Sequence, residues 1–162
     1  HYELENYNTD GSNLNTYPAV YRGILNFFGD IWTFIRDVVI VNRNANYNSV
    51  YLLKKGVNHA DITIDNIQDK CYFIGDQANS NNFITEFDFR FGPYFIPNKI
   101  GTNKKADYNW IRGNNGQDTD KAVRVLLLGG SATYGSAAGS GGFYSMWVRS
   151  ASDAGVGFFT TV

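Results

Sequence analysis

Apolar positions along this chain come in short, closely spaced runs and not in helical stripes. The stretch YRGILNFFGDIWTFIRDVVIV, from Tyr21 to Val41, is dense in aromatics and broken by Gly23 and Gly29. Phe28-Gly29-Asp30 reads as a turn, and residues 31–40 fit either a helix or a strand. Val38-Val39-Ile40-Val41 is β-branched and favours a strand. A polar loop over residues 42–48 precedes Val50-Tyr51-Leu52-Leu53, a short buried-strand candidate. Asp61-Ile62-Thr63-Ile64-Asp65 alternates strictly, as a half-buried strand does, with both carboxylates on one face. Residues 71–75 and 83–91 add short apolar stretches, while Gly92-Pro93, Pro97-Asn98 and Gly101 are turn signals. Residues 98–109 read as a polar loop closing on Trp110. The clearest element is Ala122 to Leu128, AVRVLLL, a central-strand run stopped by Gly129-Gly130. Residues 1–20, rich in Asn, Thr and Tyr, carry no helical period and read as an N-terminal extended arm. The pattern predicts one α+β domain over residues 21–162, with many short strands, few helices and much loop.

Composition narrows the classes. A chain of 162 residues can bury a core without staples. Charged residues are only 18%, and Asn, Gly, Ser, Thr and Tyr take their place. A chain this rich in aromatics is not disordered. The net charge of −1 supplies no field to steer it onto nucleic acid or anionic lipid. No apolar run approaches the ~18 residues of a membrane span, so membrane insertion is not expected. One cysteine, Cys71, excludes an internal disulfide and a Cys-rich zinc site. The chain opens at His1 without an apolar leader, which reads as a mature, trimmed or excised piece.

Candidate chemistry is sparse. His1 and His59 are the whole histidine supply, and His59 reads as a lone surface residue. No metal-ligand or nucleophile motif occurs, so no catalytic residue, metal or cofactor is expected. Asp61 and Asp65 read as a solvated strand face before they read as a cation site. Gly129-Gly130…Gly135 lacks the Lys-Ser/Thr of a phosphate loop. The positive signal is a kind of surface. From Ser131 to the end only Arg149 and Asp153 are charged, and Tyr, Ser, Gly, Ala and Thr dominate. That is the palette of binding loops, in which Tyr and Trp give rigid contacts and Ser and Gly give adaptable ones.

Three blocks together resemble one family. Tyr21-Arg22-Gly23-Ile24, Asn26 and Phe28-Gly29-Asp30-Ile31-Trp32 form the first. Ile96-Pro97-Asn98-Lys99-Ile100-Gly101 with Asp107-Tyr108 is the second. The third runs from Val125 through Gly129-Gly130-Ser131 to Gly139, then Phe143-Tyr144, and closes on Val156-Gly157-Phe158. In this order they resemble the C-type-lectin-fold variable proteins of diversity-generating retroelements. The first block is also similar to formylglycine-generating-enzyme-like domains, which share that fold.

The resemblance implies a C-type lectin fold and a variable region over about residues 123–162, rewritten by copying errors at adenines. Codons so diversified cannot encode Lys, Glu, Gln, Met or Trp; no Lys, Glu or Gln stands between Ser131 and Gly155, and Met146 and Trp147 would be fixed scaffold. It implies a contact face of Ser131, Thr133, Tyr134, Ala137, Tyr144, Ser145, Val148, Arg149, Asp153 and Gly155. Trp32, Phe143 and Trp147 would be scaffold. Ala132 stands where many members have Trp, and Phe159 where Arg is common. The implied role is display on a viral tail fibre or a cell surface, as a receptor-binding module or adhesin. Its partner would be a macromolecule, a host surface protein or glycan, with a homo-oligomer allowed. The rivals are a degenerate enzyme of the formylglycine-generating type, which Cys71 alone does not equip, and a structural virion or pilus-tip domain.

Overall fold

β-Branched and aromatic residues give the chain its conformation, and in the computed structural model nearly every apolar run is a strand. The structure describes residues 20–21, 24–25, 32–42, 47–91, 94–102, 107–111, 123–130, 141–146 and 156–157. Two short strands, β1 (Val20–Tyr21) and β2 (Ile24–Leu25), pair with each other. The rest form one nine-stranded sheet. Its members are β3 (Trp32–Asn42), β4 (Tyr47–Leu53), β5 (Cys71–Ala78), β6 (Asn82–Phe91), β7 (Tyr94–Gly101), β8 (Tyr108–Ile111), β9 (Val123–Leu128), β10 (Phe143–Ser145) and β11 (Val156–Gly157). The order is β5-β4-β3-β9-β10-β8-β6-β7, with β11 beside β3. Pairing is antiparallel except for β10 with β8 and β11 with β3.

The sheet curls until its two ends meet. One buried cluster draws Val38 and Ile40 from β3, Val50 from β4, Ile74 from β5, Ile84 from β6, Ile96 from β7, Leu126 from β9 and Phe143 from β10. Only the inside of a nearly closed barrel brings so many strands to one core. At the seam β5 and β7 abut without being neighbours in the hydrogen-bonded order. Gly75 makes this approach feasible, because a Cβ there would stand 2.8 Å from Ile96 Cδ1.

The outside of the barrel is covered as well. Val39 and Val41 alternate outward and pack with Tyr51, Leu53, Ile62, Ile67 and Cys71. The cover is residues 54–70, which carry a 3-10 turn, η1 (His59–Asp61), and one helical turn, α1 (Ile67–Lys70). A third cluster holds Trp32, Val125, Leu127 and Tyr144. Polar side chains occupy the inner face toward one end. Gln77 Nε2 donates to Asn109 Oδ1 at 2.6 Å, and Ser145 Oγ donates to Gln77 Oε1 at 3.0 Å. Asn109 Nδ2 donates to the carbonyls of Ala78 and Ser80 at 2.9 Å each.

Several expectations change. The α+β, C-type-lectin fold is overturned: the described chain is mainly β, and its helical content is α1 and η1. The reason is that apolar positions on both faces of β3 and β9 are satisfied by strands and a single cover segment, leaving no apolar helix to pack. The strand expected at residues 61–65 is also absent. Asn66 Oδ1 accepts from the Thr63 N–H at 2.9 Å and its Nδ2 donates to the Asp61 carbonyl at 3.0 Å, so side chains take the bonds a ladder would need. The turn expected at Pro97-Asn98 is strand, because β7 ends the hydrogen-bonded order and an end strand tolerates a missing N–H. Residues 31–40 are resolved as strand from Trp32 onward, and the AVRVLLL run is the buried β9 between β3 and β10. Residues 1–19 and the turn at Phe28-Gly29-Asp30 lie outside the described residues.

Burial of β3 on both faces predicts that neighbouring residues are both costly to change. Ile40→Ala should lose about 2–5 kcal/mol, as large-to-small core changes do. Val39→Thr should lose about 1–3 kcal/mol for a buried hydroxyl. Denaturant titration of both variants measures this, and a sheet covered on one face only would show the loss in just one of them.

Candidate functional site

In sequence, the segment singled out by composition begins between β9 and β10, and the described residues on either side of 131–140 are held by backbone. Leu128 pairs with Phe143 and Leu127 with Tyr144. The Gly129 N–H donates to the Gly142 carbonyl at 3.1 Å. Gly129 and Gly130 take φ of 98° and 82°, a conformation that favours glycine, so the chain turns sharply out of β9. On the other side the Gly141 N–H donates to the Asp107 carboxylate, and the Asp107 carbonyl accepts from the Ile84 N–H at 2.6 Å. A Cβ on Gly141 would run into Asp107 Oδ2 and come within 2.9 Å of Phe87 Cζ. The stem is thus tied to β6 and to the residue preceding β8 by contacts that a Cβ at position 141 would displace.

Asp107 is half-buried, and that burial pushes its carboxyl above the usual value, against the opposing hydrogen bond from Gly141. Two further carboxylates, the exposed Glu86 and the half-buried Asp88, shift the other way. Hydrogen bonds from Lys99 and Asn98 lower Glu86, and those from Arg90 lower Asp88.

Of the expected contact residues, the structure places two. Tyr144 and Ser145 are buried at 7% and 0% exposure, which corrects their assignment to the contact face. Tyr144 lies 4.9 Å from Trp32 and 6.3 Å from Trp110, ring centre to ring centre. Trp32 and Trp110 meet edge-on at 5.1 Å. Ser145 joins the Gln77 network. Both residues are scaffold because each face of β10 is covered, Tyr144 by the Trp32 cluster and Ser145 by the Gln77 network. Trp32 and Phe143 are buried, at 4% and 1%. Ser131, Thr133, Tyr134, Ala137, Trp147, Val148, Arg149, Asp153 and Gly155 lie outside the described residues. The second stretch, 147–155, leaves from Met146, whose carbonyl accepts from Arg124 Nη1 at 2.6 Å, and returns at Val156, paired with Trp32.

Groups with conventional chemistry are turned inward or scattered. His59, expected at the surface, is 6% exposed and stands 6.3 Å from the ring of Phe34. Cys71 is buried, and desolvation raises its thiol, which disfavours the reactive thiolate. Among the described residues no group of three or more His, Cys, Asp or Glu side chains comes together to hold a metal. Sequence reasoning missed Asp107 and Gly141. Their signal was a lone Asp at the end of a polar loop and one glycine of a Gly-rich run, which only the fold brings together.

No protein-family profile, curated protein or solved structure matches this chain.

The corrected role of Tyr144 is open to direct measurement. Tyr144→Ala should lose about 3–5 kcal/mol of stability, the range for a deleted buried aromatic. A contact-face residue would lose less than about 0.5 kcal/mol.

Asp107 generates a pH prediction. Its folded pKa is raised, so its favourable contribution is complete below the unfolded value, about 3.9, and is lost as pH rises through the folded one. Asp107→Asn should therefore gain stability relative to wild type as pH rises from about 4. Glu86 and Asp88 have the opposite dependence but cancel in the comparison. A constant difference between the two proteins across that window would show that Asp107 titrates as if exposed.

Proposed function

We propose that this chain is a non-enzymatic display module, in which an all-β barrel presents residues 131–140 to a macromolecular ligand. Ser131, Thr133, Tyr134 and Ala137 form the primary contact set, with Tyr134 as the aromatic anchor. Val148, Arg149, Asp153 and Gly155 extend it from the second stretch, with Arg149 as the polar anchor. Interface energy concentrates in such aromatic and Arg side chains. The observation that carries the reading is the clamped stem: Gly129 bonded to Gly142 at 3.1 Å, and Gly141 held by Asp107. Main-chain bonds and glycines fix the ends, so the residues between need not supply stability. A rigid scaffold with a compositionally free segment is how binding loops are built.

Diversification by a retroelement belongs to the same proposal. Support comes from the three sequence blocks and from the absence of Lys, Glu and Gln between Ser131 and Gly155. The ligand is of the class borne on a host cell surface, a protein or a glycan, and the module sits on a virion tail fibre or a cell surface.

Two libraries test the display claim. One randomises Ser131, Thr133, Tyr134 and Ala137, the other Tyr144 and Ser145. Survival under protease should stay near wild type for most members of the first, since surface changes cost within about 0.5 kcal/mol each. Most members of the second should be cut. Equal losses in both would mean that residues 131–140 are core and would end the reading. For diversification, the flanking DNA should hold a near-identical template repeat differing mainly at adenines, beside a reverse transcriptase gene. Sequence with no such repeat would remove that part of the proposal.

A further inference from the structure

The interior of the barrel is divided along its axis. On β3 the inward residues run from Ile35 through Val38 and Ile40 to Asn42. On β9 they run from Leu128 through Leu126 to Arg124, and on β4 from Val50 to Asn48. Ile74 precedes Gln77 on β5, and Phe143 precedes Ser145 on β10. One half is therefore aliphatic and aromatic. The other is a polar plug, whose members Asn48, Gln77 and Ser145 bond to one another.

The described residues do not fill the apolar half. A cavity of about 200 Å³ lies there, walled by Val38, Val50, Ile74, Leu126, Leu128 and Phe143. From the structure we infer that this cavity is a binding site for a small uncharged apolar molecule, a single ring with a short alkyl arm or two fused rings. The inference stands apart from the display reading and does not need it.

Three observations support that ligand class. The first is size. An engineered cavity of about 150 Å³ lined by Leu, Ile and Phe takes benzene, so this one holds a ring with a few more carbons. The second is the absence of competitors for the space. Water needs roughly two to four polar partners, and the described side chains lining the cavity are aliphatic or aromatic, with the Tyr94 hydroxyl the one polar group among them. Among the described residues no acidic or basic side chain lines the cavity, so an ionised ligand would lose its hydration without compensation. The third is an entrance. Tyr94 and Phe95 line the cavity while only half-buried. Phe95 meets Phe87 edge-on at 5.3 Å and lies 6.4 Å from Phe89, which is 62% exposed. An apolar ledge thus leads from solvent to the cavity wall.

The test uses the full chain, methyl-labelled at Ile, Leu and Val, with toluene as the probe and benzoate as its ionised counterpart. Toluene should shift the methyl resonances of Val50, Leu126 and Leu128 saturably and raise the melting temperature. Benzoate should do neither. Leu128→Phe, which narrows the cavity, should weaken toluene binding by at least about tenfold, the scale on which an apolar pocket registers added carbon. If that variant does not fold, the wild-type methyl map decides alone. The inference is overturned if toluene leaves those methyls in place, if benzoate shifts them equally, or if a folded Leu128→Phe binds toluene as tightly as wild type.

Discussion

Everything in this fold hangs on β3 being buried on both faces. Val38 and Ile40 point into the barrel, while Val39 and Val41 point out beneath the cover segment. Trp32, at the start of the same strand, anchors the third cluster. No other strand contributes fully buried residues to all three clusters. Over Val38–Val41, where both faces are covered, the strand is apolar in consecutive residues, as central strands are, while Arg36 and Asp37 earlier in it are exposed. It also forces its partners into place. β9 must lie beside it, β4 must return along its other side, and residues 54–70 must cover its outer face. Without that cover Val39, Val41 and Tyr51 would present an apolar patch to water.

The same constraint fixes the stem on which the proposed display segment depends. β10 has only three residues, yet all are buried, because it is wedged between β8 and β9. Its aromatic Tyr144 closes the outer cluster and its Ser145 closes the inner polar plug. With β10 so fixed, Gly142 and Gly141 are delivered to Gly129 and Asp107. The intervening residues then connect two points whose positions are already determined. The proposed freedom of composition in residues 131–140 rests on this rigidity at their ends.

The parts of this architecture that are written locally were legible in the sequence. The runs VVIV and AVRVLLL read as strands because β-branched and aliphatic residues are consecutive there, and both became central. What was not legible depends on partners distant in the chain. Ser145 looked like a contact residue by its type, but its bonding partner is Gln77. Tyr144 looked the same, and its neighbours Trp32 and Trp110 lie far off in sequence. Gln77 drew no reading and Asn109 fell in the polar loop over residues 98–109, since no one-dimensional pattern reveals that two amides face each other inside a barrel. Asp61 to Asp65 alternates like a strand, but Asn66 captures its backbone. Fold class failed for a related reason: short apolar stretches and glycines suit several architectures, and closure at Gly75 against Ile96 is decided only in three dimensions.

The most direct check of the account is the surroundings of Tyr144, because the fixed stem and the separation of scaffold from contact face both depend on them. Proton NMR with a soluble paramagnetic relaxation agent reads them in one experiment. The account predicts nuclear Overhauser contacts from the Tyr144 ring to the rings of Trp32 and Trp110, with the Tyr144 and Ser145 signals unbroadened by the agent. A Tyr144 ring that lacks both contacts and broadens as an exposed Tyr72 does would contradict it.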